Sequence, residues 1–430
     1  MKYSPIDPQL FVENRKKFCA RLPPDSLAVF MSNDQMPRSA DGQYMFRQDS
    51  DIFYLSGIDQ EDSVLLLYPD CPREEYRELL FLRKTNEDIE VWEGHKYTIE
   101  EAHKVSGIKG VKWYEEFNTI LNSVMCYAQS VYLNLNEHDR TVNEVPYKSL
   151  RFALDLKNRF PLHQYSRSAR IMGELRSLKT ETELALIRNA IAITKKAFDR
   201  ILKFVKPGVM EYEIEAEITH EFIRNRATGH AYSPIIASGK NACVLHYIDN
   251  NAECRDGDML LLDFGAEYAN YAADLTRTLP VNGKFTPRQK EIYDTVLRVM
   301  KHARKLLRPG LNLHEFNTKT VGKLMEEELI RLGLLKADEV AKQDEDKPLY
   351  KKYFMHGTSH YLGLDVHDTG WRFAVLKPGM VFTCEPGLYI PEENIGIRIE
   401  NNILVTEGDP VDLMSSFPIE TEEIENAMRS

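Results

Sequence analysis

The strongest constraint on the fold is an apolar run over Met259–Leu262 that ends directly in Asp263. A run of this density predicts a buried strand, because no polar residue alternates with the apolar ones. A carboxylate buried without a partner is strongly destabilised, so it normally finds a cation, a metal ion or a proton. The sequence therefore predicts a buried acid that needs such a partner.

A second acid, Asp274, follows eleven positions after Asp263. If the chain turns back between Tyr268 and Ala269, the two aspartates lie directly opposite each other, with Cβ atoms roughly 5 Å apart. Like charges in that position are destabilising unless a cation lies between them, which favours a divalent metal ion. The alternative is that one aspartate caps the hairpin and the other pairs with Arg277.

Two later segments each add an acid to this set. A strand is predicted over Met380–Cys384, and it ends in Glu385. Beyond it, isoleucines alternate with polar residues, which predicts a half-buried strand that points Arg398 and Glu400 to one face. A surface ion pair between Arg398 and Glu400 is the alternative interpretation.

Three of the twelve histidines, His356, His360 and His367, fall within twelve residues. Such a cluster suggests metal ligation or proton transfer. The spacing of the first two matches the helical zinc motif His-Glu-x-x-His, but the glutamate is absent and Gly357 is a poor helix former, so we discard that interpretation. Four carboxylates and one histidine could instead hold two divalent ions of the Mn²⁺, Co²⁺, Fe²⁺ or Zn²⁺ type, which activate a water molecule.

The length of 430 residues predicts two domains. Asp7 and Pro8 predict the start of a helix that runs to Arg21. Strands are predicted over Leu27–Met31, Val64–Tyr68, Leu79–Leu82 and Val131–Leu135, so the first domain, residues 1–170, should be a compact α/β unit. A second domain, residues 171–430, opens with a helix whose capping box is Thr180 and Glu183.

Composition limits the classes of partner. The apolar runs fall far short of the ~20 residues of a membrane span, and the first eleven residues lack the apolar stretch of a secretory signal. The six cysteines are scattered, and the net charge of −11 disfavours nucleic acid or an anionic membrane surface. We therefore expect a soluble, cytoplasmic protein without nucleic-acid or membrane partners.

In this order, and with the flanks HGTSHYLGLDVHD, CEPGLYI and GIRIENN, these motifs resemble the creatinase and methionine-aminopeptidase superfamily of metallopeptidases. The resemblance implies an α+β catalytic domain of the "pita-bread" fold behind a creatinase-like α/β domain. It also implies two divalent ions, with Mn²⁺ expected first and Co²⁺, Zn²⁺ or Fe²⁺ as alternatives. The implied metal ligands are Asp263, Asp274, His360, Glu385 and Glu400.

The resemblance also implies roles for residues around the metal ligands. Glu385 would exchange protons with the attacking water, His367 would contact the substrate carbonyl, and His246 would line the pocket as a catalytic residue. His356, Tyr389 and Arg398 would form the wall of the substrate pocket.

The first domain narrows the choice within the superfamily. The segments around Arg38–Asp41 and Phe46–Gly57 resemble the N-terminal domain of the aminopeptidase P family, whose members remove the residue that precedes proline. That resemblance implies that Asp41 reaches the active site of a neighbouring subunit and that Trp92 lines the substrate pocket, so a homodimer or homotetramer is expected. Prolidase, which splits Xaa-Pro dipeptides, and a non-catalytic binding protein of the same fold are the alternatives.

One segment departs from the family pattern. The chain runs from His367 to Pro378 by a shorter path than in many relatives, and only fifteen positions separate Glu385 from Glu400. Because this rim shapes the pocket, it bears on the length of peptide that the enzyme accepts.

Overall fold

The computed structural model describes residues 3–138 and 142–429, and they form two compact units, residues 4–176 and a second unit that joins Tyr3 to residues 177–429. The predicted boundary between residues 170 and 171 lies inside a helix, Ala169–Ser177, at whose end the two units divide. Within the described residues, no helix is both long and apolar enough to cross a membrane.

The first unit is built on a mixed sheet of six strands in the order β6-β5-β4-β1-β7-β8. Its strands are β1 (Ser26–Met31), β2 (Pro37–Ser39), β3 (Gly42–Gln43), β4 (Val64–Leu67), β5 (Glu78–Leu82), β6 (Gly110–Trp113), β7 (Ser130–Leu133) and β8 (Gln164–Arg167), of which β2 and β3 form a separate exposed hairpin. Its helices are α1 (Gln9–Cys19), α2 (Ser50–Ser56), α3 (Glu87–Glu93), α4 (Ile99–Ser106), α5 (Phe117–Met125), α6 (Lys148–Arg159) and α7 (Ala169–Ser177).

Helices cover both faces of this sheet. On one face, Val29 shares a buried cluster with Leu121 of α5 and Leu156 of α6. On the other face, the ring of Phe30 contacts that of Phe18 of α1 at 5.2 Å, because successive side chains of a strand point to opposite sides. The four predicted strands and the α/β class are thus confirmed in this unit.

The first helix differs from the prediction at both ends. Pro8 rather than Asp7 occupies the N-cap position, although the Asp7 carboxylate still accepts a hydrogen bond from the Gln9 amide at 2.9 Å. The helix ends at Cys19, two residues before the predicted Arg21.

The second unit is of the α+β class, with small antiparallel sheets and helices packed against them. Its strands are β9 (Gly229–His230), β10 (Ile235–Ser238), β11 (Met259–Phe264), β12 (Ala266–Tyr268), β13 (Tyr271–Ala272), β14 (Leu275–Pro280), β15 (Val381–Cys384), β16 (Gly387–Ile390), β17 (Ile395–Arg398), β18 (Asn401–Leu404) and β19 (Val411–Asp412). Its helices are α8 (Glu181–Phe204), α9 (Glu211–Arg224), α10 (Pro287–Leu306), α11 (Leu313–Glu315), α12 (Val321–Arg331), α13 (Ala337–Val340) and α14 (Thr421–Arg429), and a π-helical turn, Phe316–Thr320, separates α11 from α12.

The long helix α8 begins with the predicted capping box. The Thr180 hydroxyl accepts from the Glu183 amide at 3.3 Å, while the Glu183 carboxylate accepts from the Thr180 amide at 2.8 Å. In the middle of the helix, the Thr194 hydroxyl accepts a hydrogen bond from the Ala266 amide at 3.0 Å. Helix α8 is thereby bonded to β12, which begins three residues after Asp263.

Candidate metal centre

Strands β11 and β14 bring Asp263 and Asp274 to one face, but not in the predicted register. Asp263 lies opposite Thr276 rather than opposite Asp274. The chain turns at Ala269 and Asn270, whose φ angles are 52° and 64°, so the centre of the turn lies one residue later than predicted. Moving the centre by one residue moves each cross-strand partner by two, and a shift of two keeps both carboxylates on the same face.

A tyrosine joins these two carboxylates. The Tyr232 hydroxyl lies 2.7 Å from Oδ1 of Asp263 and 2.6 Å from Oδ1 of Asp274. Burial, and after it the charge of Asp263, raises the pKa of Tyr232 well above its usual value, so the phenol keeps its proton and can donate. Sequence reasoning missed this residue, because it lies outside any helix or strand and no motif marks it.

Glu400 reaches the same cluster from the segment between β17 and β18. Its amide donates to the Thr276 carbonyl at 3.0 Å, and its Oε2 accepts from the Thr276 hydroxyl at 2.6 Å. Its Oε1 is buried and has no hydrogen-bond partner among the described residues. An acceptor atom that is buried and unpartnered is where a bound cation would be expected.

Arg398 lies deep in the cluster, where its guanidinium contacts two of the predicted site residues. Nη2 donates to Oδ2 of Asp263 at 2.5 Å, and Nη1 donates to the Tyr389 hydroxyl at 2.8 Å. Arg398 is 4% exposed and Glu400 is 2% exposed, so the predictions of a half-buried strand and of a surface ion pair are both wrong. Both residues do belong to one cluster, as the alternation had predicted.

His360 is fixed beside β15 by its main chain and by its ring. Its carbonyl accepts from the Thr383 amide at 3.0 Å. Its Nδ1 lies 2.9 Å from the Tyr361 carbonyl, which can only accept, so the proton is on Nδ1. Nε2, which lies 3.4 Å from Oδ2 of Asp274, is therefore the ring nitrogen that faces the carboxylates, the arrangement of a metal-ligating histidine.

Glu385 follows β15 and lies between two histidines. Its Oε1 is 3.6 Å from Nε2 of His360, and its Oε2 is 3.8 Å from Nδ1 of His356. The other ring nitrogen of His356 is 2.8 Å from the Tyr389 hydroxyl. Burial, and after it the charge of Arg398, lowers the pKa of His356 to about 3, so this ring is neutral.

Asp274, Glu385 and Glu400 are too crowded to be ionised together without a cation in addition to Arg398. Burial, and after it the neighbouring carboxylates, raises the pKa of Asp274, Glu385 and Glu400 well above the usual range. One ligand atom from each of Asp274, His360 and Glu400 lies within 4.8 Å of the others. Together with the unpartnered Oε1 of Glu400, this donor set fits a divalent cation held by oxygen and imidazole ligands.

Of the remaining predicted residues, His367, His246 and Asp41 lie in loops or turns and Trp92 lies on a helix. His367 is exposed, and its ring packs edge-on against that of His360, with centroids 4.3 Å apart. His246 is exposed on the loop between β10 and β11, close enough to His356 for its charge to affect that ring. In the first unit, Asp41 lies in the turn of the β2–β3 hairpin and Trp92 lies on α3, where it is 86% exposed.

Two asparagines that hold the site together were also missed. Asn402 clasps the main chain of Asp274, because its Nδ2 donates to the Asp274 carbonyl at 2.6 Å and its Oδ1 accepts from the Asp274 amide at 3.2 Å. Asn317, in the π-helical turn, accepts from the amides of Thr358 and Ser359, both at 2.8 Å, just before His360. The flank GIRIENN includes Asn402 and could have revealed it, whereas the sequence has no signal for Asn317.

Comparison with known proteins agrees with this geometry. Residues 185–407 match the model of metallopeptidase family M24, and residues 11–132 match the aminopeptidase P N-terminal domain. The chain therefore belongs to metallopeptidase family M24, with an aminopeptidase P type of N-terminal domain. The α/β plus pita-bread fold expected from the sequence is confirmed, as is the membership of an enzyme family.

Relatives that match nearly the whole chain are Xaa-Pro aminopeptidases. The chain is 38% identical to the Xaa-Pro aminopeptidase of Escherichia coli K12, over 99% of this chain and 98% of that protein. It is 35% identical to the Xaa-Pro aminopeptidase of Haemophilus influenzae, over 97% and 96% of the two chains. A solved structure of zinc-substituted E. coli aminopeptidase P in complex with product covers 99% of both chains at 36% identity, with a TM-score of 0.86.

Proposed function

We propose that this chain is a metal-dependent aminopeptidase that hydrolyses the bond between the N-terminal residue of a peptide and a following proline. The observation that carries the proposal is the cluster of buried carboxylates beside His360, whose Nε2 faces Asp274 and Glu385. Similarity to Xaa-Pro aminopeptidases over nearly the whole chain supports the choice of substrate.

The proposed cofactor is a pair of divalent ions, with Mn²⁺ first and Co²⁺, Zn²⁺ or Fe²⁺ as alternatives. Asp263 would help to hold one ion, His360 and Glu385 would help to hold the other, and Asp274 and Glu400 would contribute to both. When bound, such ions supply a nucleophile from water at neutral pH and polarise the peptide carbonyl.

The protein's own side chains would manage the protons and the substrate. Glu385 would accept a proton from the attacking water at a carboxylate oxygen and deliver it to the departing proline nitrogen. His367 would donate a hydrogen bond to the substrate carbonyl as charge develops on its oxygen, and His246 would line the substrate pocket as a catalytic residue. The bonded series Arg398, Tyr389 and His356 would form a rigid pocket wall, supported by the two 2.8 Å contacts of the Tyr389 hydroxyl.

Two residues of the first unit, Asp41 and Trp92, also have proposed roles. We propose that the protein is a homodimer or homotetramer in which Asp41 binds the free α-ammonium group of a substrate in the active site of a neighbouring subunit. Trp92 would line the substrate pocket. The exposure of both residues is compatible with these roles. We propose in addition that the domains span residues 1–170 and 171–430, and that the enzyme acts in the cytoplasm.

The test uses purified full-length protein with Mn²⁺ and the peptide Arg-Pro-Pro. Mass spectrometry should detect free arginine and Pro-Pro, whereas Arg-Ala-Pro and the Asp274→Asn variant should give no product. Cleavage of the dipeptide Arg-Pro without cleavage of Arg-Pro-Pro would indicate prolidase. No cleavage of either peptide by metal-loaded protein would refute the proposed activity and favour a binding protein.

A further inference from the structure

A buried carboxylate outside the metal centre organises the loop that carries His246. Glu211 is the first residue of α9 and is 0% exposed. The loop leaves β10 at Ser238, forms a 3₁₀ turn over Gly239–Cys243 and then has no helix or strand as far as Asn250. His246 is at its middle and needs support from elsewhere.

Four donors from this loop, and a fifth from Ala252 just beyond it, reach the two oxygens of Glu211. Oε1 accepts from the amide of Ser238 at 2.7 Å, from its hydroxyl at 2.8 Å and from Nδ2 of Asn241 at 3.3 Å. Oε2 accepts from the Tyr247 hydroxyl and from the Ala252 amide, both at 2.8 Å. These donors lie on both sides of His246 in the sequence, so one carboxylate ties the two arms of the loop together.

The next turn of α9 holds the end of the loop in a similar way. Oε2 of Glu215 accepts from Nδ2 of Asn250 at 2.9 Å, while Oδ1 of Asn250 accepts from the Ile236 amide at 3.0 Å. Asn250 has a φ of 46°, a conformation that asparagine tolerates better than most residues. Carboxylates in the first turns of a helix are also stabilised by the helix dipole.

The opposite side of the loop packs against the wall of the proposed active site. Ala242 shares a buried cluster with Tyr389 and Leu261. The close approach to β17 requires Gly396, because a Cβ atom there would lie 2.1 Å from the Ala242 carbonyl oxygen. The loop is thus held between α9 on one side and the strand that carries Arg398 on the other.

We propose that Glu211 is a positioning residue that sets the location of His246 for catalysis. This inference rests on the proposed function, because it assumes that His246 contacts the substrate. A carboxylate suits the task because each of its oxygens faces a main-chain N–H, from Ser238 and from Ala252, and these donors cannot reverse their polarity.

Glu211→Gln is the diagnostic substitution, since it keeps the size of the side chain. Either orientation of the amide turns an NH₂ group towards a main-chain N–H, so the loop must shift. A displacement of about 1 Å can cost about 100-fold in rate, and we expect kcat/KM for Arg-Pro-Pro to fall by about 10- to 100-fold while metal content stays at the wild-type level. Glu213→Gln is the matched control, because it makes the same charge change in the same helical turn at an exposed site.

A double-mutant cycle shows whether Glu211 acts through His246. If it does, Glu211→Gln should lower kcat/KM in the wild-type background but have little further effect in a His246→Ala background. An equal loss in both backgrounds, or a kcat/KM for Glu211→Gln that matches Glu213→Gln, would overturn the proposal. Tyr247→Phe removes one donor of the five and should give a smaller loss of the same kind, which guards against a Glu211→Gln protein that fails to fold.

A second measurement does not depend on activity. Lys240 is an exposed trypsin site in this loop, and the Glu211→Gln protein should be cut there faster than the Glu213→Gln protein. Faster cutting together with an inactive wild-type protein would refute the proposed function but keep the loop-positioning part of the inference. Equal cutting rates would refute that part whatever the activity.

Discussion

Replacing Gly265 by alanine should damage the metal centre without touching a ligand. Gly265 lies between β11 and β12, and a Cβ atom there would lie 1.7 Å from the carbonyl oxygen of Ala273, half the 3.4 Å at which ordinary contact begins. The clash is with main chain, so rotation of a side chain cannot relieve it. The main chains at Gly265 and Ala273 must separate by about 1.7 Å to restore contact distance.

This separation would displace Ala273, the residue immediately before Asp274. Metal–ligand distances tolerate only about ±0.2 Å, so we expect the affinity for Mn²⁺ to fall by about 10- to 100-fold, the usual effect of disturbing the support of a ligand. Overpacking of a core costs about 1–3 kcal/mol. At about 2–4 °C per kcal/mol for a unit of this size, Tm should fall by roughly 2–12 °C.

Gly229→Ala is the control for this prediction. Gly229 lies in β9, which pairs with β12, and a Cβ atom there would meet no described atom within 4 Å. Isothermal titration with Mn²⁺ and thermal melts of the metal-free proteins should place Gly229→Ala within about 0.5 kcal/mol of the wild type. The steric argument is refuted if Gly265→Ala matches Gly229→Ala in both Tm and Mn²⁺ affinity.

Three further outcomes are expected from the same geometry. Asp274→Asn should abolish the rise in stability with Mn²⁺, which for the wild type is about 2.7 kcal/mol at 100 times Kd, and thermal melts with and without metal measure it. The raised pKa values of Asp274, Glu385 and Glu400 mean that the metal-free protein loses stability as pH rises through them, whereas Mn²⁺ takes the place of the protons. The shift in Tm on adding Mn²⁺ should therefore be larger at pH 8 than at pH 6. Tyr232→Phe removes hydrogen bonds to Asp263 and Asp274 and should weaken Mn²⁺ binding by about 10- to 100-fold in a titration.

Each of these outcomes can fail independently. An Mn²⁺-dependent rise in Tm that survives in Asp274→Asn would show that this carboxylate is not a ligand. A metal-induced shift that is equal at pH 6 and pH 8 would show that the buried acids do not exchange protons for metal. If the Tyr232→Phe protein binds Mn²⁺ with wild-type affinity, the Tyr232 hydroxyl does not support the metal site and the ring contributes only packing.

Two of the elements that carry acids could be predicted because the acid follows an apolar run. Asp263 is the last residue but one of β11 and Glu385 follows β15, and in both cases the run itself marks the strand. The pairing register could not be predicted, because it depends on a turn at Ala269 and Asn270 that contains no glycine or proline. The predicted register was wrong by two residues. A shift by an even number of residues leaves Asp274 on the same face of the sheet.

Contacts between residues that are far apart in the sequence could not be predicted. Tyr232 is 31 positions from Asp263, and Glu211 is 35 positions from His246, with no periodic pattern between either pair. Their partners become neighbours only when β10, β11 and α9 pack together. The sequence alone gives no reason to pair Tyr232 with Asp263 or Glu211 with His246.

The strand that ends in Arg398 shows why a buried polar cluster cannot be recognised from the alternation of apolar and polar residues. Alternation of apolar and polar residues predicts that the polar face meets water, yet Arg398 and Glu400 are buried against Asp263 and Thr276. The polar face does have a polar environment, but it consists of other buried side chains and leaves Oε1 of Glu400 unpartnered among the described residues. Such a face is stable only with protons or a cation in place, so we expect uptake of metal to release protons and to stabilise the strands in one step.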